Sequence, residues 1–129
     1  MNESLDSGFD INELVREAQN RWLKPAEVLF ILQNRENHWF VEAVPQEPQS
    51  GSLLLYNKRV IKFFRKDGHI WRKKKSGRTV GEGHERLKVG KVEALNCYYA
   101  QGEQNPNFRR RIYWMLDPTV NSTREQYSW

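Results

Sequence analysis

The chain has 129 residues, a formal net charge of +5 and a mean hydropathy of −0.85, which suits one domain that buries about two-thirds of its unfolded surface. A single cysteine, Cys97, excludes an intramolecular disulfide and a cysteine-rich zinc cluster; its apolar neighbourhood predicts a buried, inert thiol. No apolar run approaches the ~18 residues that span a bilayer, and the N-terminus lacks the pattern of a secretory signal. The expected location is the cytosol or the nucleus.

The positive charge is concentrated in residues 58–91. This stretch holds 13 Lys/Arg against three acidic residues, a net charge of +10, whereas the rest holds eight against 13, a net charge of −5. Such a basic segment is typical of a surface that binds a polyanion, because each neutralised phosphate releases a condensed counterion. The charge pattern therefore predicts nucleic-acid binding.

Two helices are predicted after a flexible leader over residues 1–9. Asp10 as N-cap and Glu13 three residues later form a capping-box pattern, and apolar residues follow at three- and four-residue spacing up to Trp22. Pro25 suits the first turn of a second helix over residues 25–33. This second helix is apolar on nearly all sides, so it is predicted to be buried.

The remaining chain reads mainly as strands and turns. Strands are expected at residues 38–44, 52–56, 59–64, 69–75, 92–100 and 108–116, with a tight hairpin at Asn57-Lys58 and glycine-containing turns at 66–68 and 76–77. Thr79 and Glu82 fit a second capping box, which predicts a short helix to about Leu87 or Lys88, ended by Gly90. Gly81 and Gly83 would each weaken that helix by roughly 1 kcal/mol.

Residues 118–129 show neither periodicity nor an apolar run, so they are predicted to form a loose tail outside a domain that covers residues 10–117. The expected fold class is α+β, with N-terminal helices packed on an antiparallel β-sheet and one short inserted helix.

The stretch 69–75 is so charged on both faces that it is predicted to be an edge strand or a protruding β-ribbon. A ribbon of this kind can enter the major groove, where Arg72 would pair with guanine and the following lysines would bind phosphate or guanine. Trp71 is expected to pack beneath the ribbon and position it, the alternative being a contact to the DNA backbone. The N-terminus of the predicted Thr79 helix is expected to bind a phosphate.

The candidate DNA-binding residues are Arg59, Lys62, Arg65, Lys66, His69, Trp71, Arg72, Lys73, Lys74, Lys75, Arg78, Thr79, His84, Arg86 and Lys88. The basic runs at 72–75 and 109–111 also fit nuclear-import sequences, and the second run equally fits alternation on an exposed strand.

Other classes of site receive no support from the sequence. His69 and His84 lack the company of further ligands at metal-binding spacing, so no metal and no cofactor is predicted. No Gly-x-Ser-x-Gly or Walker motif is present, so neither an enzyme nor a small-molecule substrate is expected. The alternative function is binding of single-stranded nucleic acid or RNA, which requires Trp71 and Tyr98 or Tyr99 to be exposed for stacking. A third reading is a basic face that binds acidic protein partners.

RWLKPAEVLFIL at residues 21–32, and above all FRKDGHIWRKKKSGRTVGEGHERLKVG within residues 48–117, resemble the N-terminal DNA-binding domain of the calmodulin-binding transcription activators (CAMTA). The resemblance covers most of residues 10–117. It implies a nuclear transcription-factor domain that recognises CGCG-type elements in double-stranded promoter DNA.

Two departures from the family pattern affect what the resemblance implies. Family members follow the YWML-D segment with a further hydrophobic strand, and LDPTVNSTREQYSW takes its place here, so the sheet is expected to lack that strand. The ankyrin repeats and IQ-type calmodulin sites of full-length members are absent from these 129 residues. Calmodulin is therefore not expected to bind this chain, and no pattern indicates a homo-oligomer.

Overall fold

The computed structural model describes residues 9–34, 40–77, 79–117 and 122–128. Two helices, α1 (Ile11–Glu17) and α2 (Pro25–Gln33), precede five strands, β1 (Leu53–Asn57), β2 (Gly83–Val89), β3 (Val92–Gln101), β4 (Arg109–Met115) and β5 (Ser122–Ser128). The strands form one antiparallel sheet in the order β1-β5-β4-β3-β2. The α+β class is confirmed. Neither of the two helices has the length and apolar character that crossing a membrane requires.

Both predicted helices are present, and local capping explains where they begin. The Asp10 carboxylate accepts a hydrogen bond from the Asn12 N–H at 2.9 Å, which satisfies one of the free donors of the first turn. Glu13 pairs with Arg16 at 3.2 Å. In α2, Pro25 is the first residue and the preceding Lys24 N–H donates to Glu27 Oε1 at 2.7 Å.

The helices pack on one face of the sheet and form the main core with it. Buried side chains of this core are Leu14, Ala18, Leu23, Val28, Ile31, Leu32, Leu55, Leu95, Cys97 and Tyr113. Burial raises the pKa of the Cys97 thiol to about 12, so the thiol stays protonated at neutral pH. The expectation of a buried thiol is confirmed.

The predicted helix from Thr79 to about Lys88 is absent, because residues 79–81 pair with residues 72–74 and residues 83–89 pair with the sheet. Gly83–Val89 is the edge strand β2, whose residues align with β3 from Gly83↔Tyr99 to Val89↔Val92. A Cβ at Gly83 would lie 2.3 Å from a ring carbon of Tyr99, so glycine permits this close approach. Pairing with β3 replaces a helix that the glycines already disfavoured. Gly90, expected to end the helix, lies in the turn between β2 and β3 with a φ of +65°.

The strands at β1, β3 and β4 are confirmed to within one residue at each end, but two other predicted strands are wrong. Residues 59–64 form turns and irregular loop, and the backbone N–H of Ile61 donates to the Asn57 carbonyl at 2.9 Å. The expected hairpin fails because β1 pairs with β5 instead. Of the strand predicted at 38–44, residues 40–44 are irregular and residues 38–39 lie outside the described ranges.

The prediction of a loose C-terminal tail is wrong for residues 122–128. These residues form β5, which lies between β1 and β4 in the sheet. The strand is polar, and the buried side chain of Gln126 is held by hydrogen bonds to the helical region. The Gln126 side chain donates to the carbonyls of Ala18 and Arg21 at 3.3 and 2.8 Å and accepts from the Leu23 N–H at 3.2 Å. The sheet therefore contains a strand after β4, which it was expected to lack.

Candidate nucleic-acid interface

The basic segment lies over the sheet face opposite the helices. Phe64 is buried against Tyr56 and Ile112 on this face, and Trp71 is buried against Ala100, Phe108 and Tyr127. These sheet residues alternate along their strands with the residues that face α1 and α2. The two faces of the sheet thus have different roles: one packs on helices, and the other carries the basic loops.

Twelve of the fifteen candidate side chains are exposed, which is what contact with a polyanion requires. They are Arg59, Lys62, Arg65, Lys66, Arg72, Lys73, Lys74, Lys75, Thr79, His84, Arg86 and Lys88. His69 is half-buried and Trp71 is buried, whereas Arg78 lies outside the described residues. The exposed residues belong to three elements: the loop 58–66, the segment 72–79 and the edge strand β2.

Residues 72–74 pair with residues 79–81 in a short antiparallel β-ribbon, here called the basic ribbon. The Gly81 N–H donates to the Arg72 carbonyl at 2.9 Å, the Lys74 N–H donates to the Thr79 carbonyl at 2.8 Å, and Lys73 bridges Val80. The turn at its tip includes Gly77 with a φ of +73°, a conformation that glycine adopts without strain. The predicted ribbon exists, but its second arm replaces the helix that was expected to begin at Thr79.

The first arm of the basic ribbon is fixed to the end of β3. The Arg72 N–H donates to the Gln101 carbonyl at 2.8 Å, and Trp71 forms an isolated bridge with Gly102. Trp71 is only 3% exposed and its ring stacks on Phe108, with centroids 5.7 Å apart and planes at 9°. Trp71 therefore packs beneath the ribbon, as preferred on sequence grounds, and its ring is not at the surface.

A buried carboxylate, Asp67, ties this region together. Its oxygens accept hydrogen bonds from Trp71 Nε1 at 3.0 Å, Arg110 Nη1 at 2.9 Å and the Tyr127 hydroxyl at 2.8 Å. It also accepts the backbone N–H of His69 at 3.1 Å. Asp67 and Arg110 are each 1% exposed. The Asp67 contacts thus join the loop before the ribbon to β4 and β5.

Arg110, the second residue of β4, reaches three groups. Besides Asp67, its guanidinium donates to the Arg65 carbonyl at 3.1 Å and to Glu82 Oε2 at 3.2 Å, and it lies 4.7 Å from the centroid of the Trp71 ring. Burial opposes its charge, but the neighbouring Asp67 and Glu125 outweigh burial, so the pKa of Arg110 is raised. Arg110 is a fixed cation that positions the loop and the ribbon.

Sequence reasoning missed Asp67, Arg110 and Tyr127. Two signals were available in the sequence. Asp67 is a single acidic residue within a run of cations, and Arg110 is the middle residue of the 109–111 triplet on a predicted strand, where neighbouring side chains face opposite sides. No signal in the sequence marks Tyr127 as the third partner.

A row of aromatic rings crosses the same face of the sheet. His84 stacks on Tyr98 with centroids 4.4 Å apart, and Tyr98 lies 4.6 Å from Trp114. Lys58 Nζ covers the Trp114 ring at 4.5 Å. Burial, with a smaller contribution from the Arg65 charge, lowers the pKa of Lys58. The row is therefore covered by a cation where it meets the loop 58–66.

Arg65 lies over the same rings but is also paired with an acid. Its guanidinium is 5.8 Å from the centroids of both Tyr98 and Trp114, and it donates two hydrogen bonds to Glu82, at 2.9 and 3.2 Å. Glu82 is shared with Arg110. Since this pairing occupies its guanidinium, Arg65 has less of its charge available to a phosphate than the exposed lysines around it.

The opposite side of the sheet has a cleft of about 530 Å³ near the base of the ribbon. Its lining includes Tyr99 and Arg109 together with Glu85, so it presents both signs of charge. Arg111, also in the lining, lies 4.2 Å from the centroid of the Trp22 ring. Among the residues that the structure describes, no group of three or more His, Cys, Asp or Glu side chains could hold a metal ion.

Comparisons with known proteins place this sequence in a family. Calmodulin-binding transcription activator 4 of Arabidopsis thaliana is 68% identical over 110 residues, 85% of this chain and 11% of that protein. Calmodulin-binding transcription activator CBT of Oryza sativa subsp. japonica is 49% identical over 110 residues, 84% of this chain and 12% of that protein. The human calmodulin-binding transcription activator 2 is 41% identical over 98 residues, 74% of this chain and 8% of that protein.

The chain thus spans about a tenth of the length of the curated relatives it matches. No solved structure matches it. The sequence model of the CG-1 domain matches residues 17–124, a range that contains the basic ribbon, the loop 58–66, the whole of β2 to β4 and the first residues of β5. The chain belongs to the CG-1 domain family.

Proposed function

We propose that this chain is the DNA-binding domain of a nuclear transcription factor and that it reads double-stranded DNA in a sequence-specific manner. The observation that carries the proposal is the basic ribbon, whose exposed cations at 72–75 stand on the buried cluster of Trp71, Asp67 and Arg110. A rigid support lowers the conformational entropy lost when the side chains meet a base edge. The relatives' description as transcription activators agrees with this reading.

A two-stranded ribbon fits the major groove, which is about 12 Å wide and presents a distinct pattern of donors and acceptors for each base pair. In this arrangement Arg72 pairs with guanine O6 and N7. Lys73 and its neighbours contact guanine or phosphate. The recognised sequence is expected to be of the CGCG type that the family resemblance implies, since two guanine-containing steps suit arginine and lysine readers.

Phosphate contacts would fix the domain on the duplex from the loop 58–66 and from β2. Lys62 and Lys66 are exposed on the loop, and Arg86 and Lys88 are exposed on the strand. The pairing of Arg86 with Glu93 is long, at 3.8 Å, and both side chains are exposed, so it holds Arg86 only weakly. Contacts of this kind set affinity and register without reading sequence.

The structure favours duplex DNA over single strands. Stacking platforms for single strands need exposed rings, but Trp71 is buried and Tyr98 is half-buried beneath His84 and Arg65. Tyr99 is 37% exposed, but it lies on the side of the cleft. An enzymatic role is not proposed, and calmodulin binding is not proposed for these 129 residues.

The test is a fluorescence-anisotropy titration of the chain with a CGCG-containing duplex, a scrambled duplex and the matching single strand, at ~50 and ~200 mM salt. We expect the CGCG duplex to bind more tightly than the other two at both salt concentrations. Equal binding to all three that is lost at the higher salt would contradict sequence-specific recognition.

Three substitutions separate base reading from phosphate binding in that titration. Arg72→Ala should cost ~1–3 kcal/mol on the CGCG duplex and reduce the preference over the scrambled duplex. Lys88→Ala should weaken binding to both duplexes alike and lower the salt slope by about one. Arg16→Ala, on the exposed side of α1 across the sheet, is the matched control and should leave both affinities unchanged. A uniform loss in Arg72→Ala would remove Arg72 from the base-reading role.

A further inference from the structure

The basic segment exposes apolar side chains among its cations. Val60 and Phe63 are each 70% exposed and Ile70 is 68% exposed; together with Val92, they are the most exposed large apolar side chains in the described part of the chain. Three of these four thus lie in residues 58–75. A segment that needs only positive charge gains nothing from holding apolar groups in water, since their exposure is unfavourable. Their concentration here points to a contact surface.

Phe63 has a defined orientation because its neighbour is anchored. Phe64 is 5% exposed and stacks on Tyr56 with centroids 5.7 Å apart, which fixes the loop against the sheet. The adjacent Phe63 ring projects to solvent, and Lys66 Nζ lies 5.1 Å from its centroid. An aromatic ring is thus presented between two exposed cations, Lys62 and Lys66.

We propose that Phe63 is an apolar contact to duplex DNA, its ring lying against a deoxyribose or the edge of a base step while Lys62 and Lys66 bind the flanking phosphates. This inference rests on the proposed function and adds an aromatic contact to it. Duplex DNA fits the pattern because it alternates phosphates with apolar sugar surface and thymine methyl groups, and apolar side chains of DNA-binding proteins contact or wedge against base steps.

The test compares Phe63→Ala with Phe9→Ala and Lys62→Ala in the CGCG-duplex titration at both salt concentrations. Phe63→Ala should raise the Kd roughly five-fold or more, by the same factor at each salt concentration because it removes no phosphate contact. Lys62→Ala should instead lower the salt slope by about one. Phe9 is 36% exposed and packs edge-on against Phe30 of α2, on the helix side of the sheet, and its replacement should leave the Kd unchanged.

The outcomes separate this inference from the proposed function. If the unmodified chain prefers the duplex and Phe63→Ala binds it equally well, only the role of Phe63 is wrong. If the unmodified chain has no preference for the duplex, both proposals fail. A Phe63→Ala chain that binds the duplex normally but loses affinity for polyglutamate would assign the ring to an acidic protein partner and overturn the inference. The Tm of Phe63→Ala should match that of the unmodified chain, which excludes unfolding as the cause of a lost affinity.

Discussion

Asp67 and Arg110 form a buried ion pair, with 2.9 Å between Arg110 Nη1 and Asp67 Oδ2, that joins the loop before the basic ribbon to the start of β4. Two charges taken out of water are tolerated because further hydrogen bonds surround them, from Trp71 and Tyr127 to Asp67 and from Arg110 to Glu82. The base-reading residues of the proposed interface, at 72–75, follow Asp67 by only a few residues. Stability and DNA binding are therefore expected to be coupled here.

Replacing one partner of this pair should be strongly destabilising. Asp67→Asn leaves Arg110 buried without its carboxylate, and we expect a loss of ~3–5 kcal/mol in the free energy of unfolding, measured by urea denaturation. Glu42→Gln, at an exposed carboxylate, is the control and should change stability by less than about 0.5 kcal/mol. A loss of under about 1 kcal/mol in Asp67→Asn would show that the pair is dispensable.

Stability should fall as the pH rises towards neutrality, because of Glu125. Burial is the main cause that raises the pKa of this carboxyl from 4.5 to about 7, so the folded state favours the protonated form. Between about pH 4.5 and 7 the folded chain binds more protons than the unfolded chain, and the free energy of unfolding decreases with increasing pH by up to roughly 3 kcal/mol.

The measurement is urea denaturation of the unmodified chain and of Glu125→Gln at pH 5 and pH 8. Glutamine cannot ionise, so the variant should lose less stability across this interval and be the more stable of the two at pH 8. Identical pH dependence in both chains would mean that Glu125 does not titrate in the folded state within this range.

Gly83 and Gly81 provide a matched pair of glycines next to the basic ribbon. Gly83→Ala places a Cβ 2.3 Å from the Tyr99 ring, whereas Gly81→Ala meets nothing closer than 3.6 Å. The first substitution should therefore displace Tyr99 and cost ~1–3 kcal/mol, and the second should be tolerated. Thermal unfolding measures both, and an NMR shift of the Tyr99 ring reports the displacement. Equal effects of the two substitutions would contradict the close contact.

Removal of residues 118–129 should prevent folding. The deletion takes away β5, leaves β1 without a strand partner and exposes the edge of β4. It also removes Gln126 and Tyr127, whose side chains bond the helices and Asp67. Far-UV circular dichroism and amide dispersion in NMR spectra should show an unfolded chain. A cooperative unfolding transition in the shortened chain would contradict the central role of β5.

The parts of the fold that sequence predicted are those that local chemistry determines. Asp10 and Pro25 mark helix starts through backbone capping and a fixed φ, and both effects act within one turn. By contrast, Thr79 and Glu82 match a capping pattern that tertiary contacts override: Thr79 joins the ribbon and Glu82 pairs with Arg65 and Arg110. Strand β5 lacked an apolar signal because its buried groups find partners far along the chain.

The charge pattern predicted the exposed cations of the candidate interface, but the sequence did not predict the buried residues that support them. Exposed cations at 72–75 and on β2 followed from composition, since charged side chains remain in water. The support beneath them did not, because Asp67 in a basic run has no local pattern that separates a buried anchor from a surface charge. Only the tertiary structure brings Arg110 and Tyr127 to it.

The position of β5 also determines the order in which the sheet is assembled. Strand β1 is among the first segments of the domain to be synthesised, yet its neighbour in the sheet is the last strand in the chain order. During translation, β2, β3 and β4 can pair as successive neighbours. Strand β1, with its apolar residues Leu53 and Leu55, has no strand partner until β5 is synthesised. Such non-local pairing slows folding and leaves apolar edges accessible to aggregation. A nascent chain of this domain is therefore expected to depend on chaperones until its final strand emerges from the ribosome.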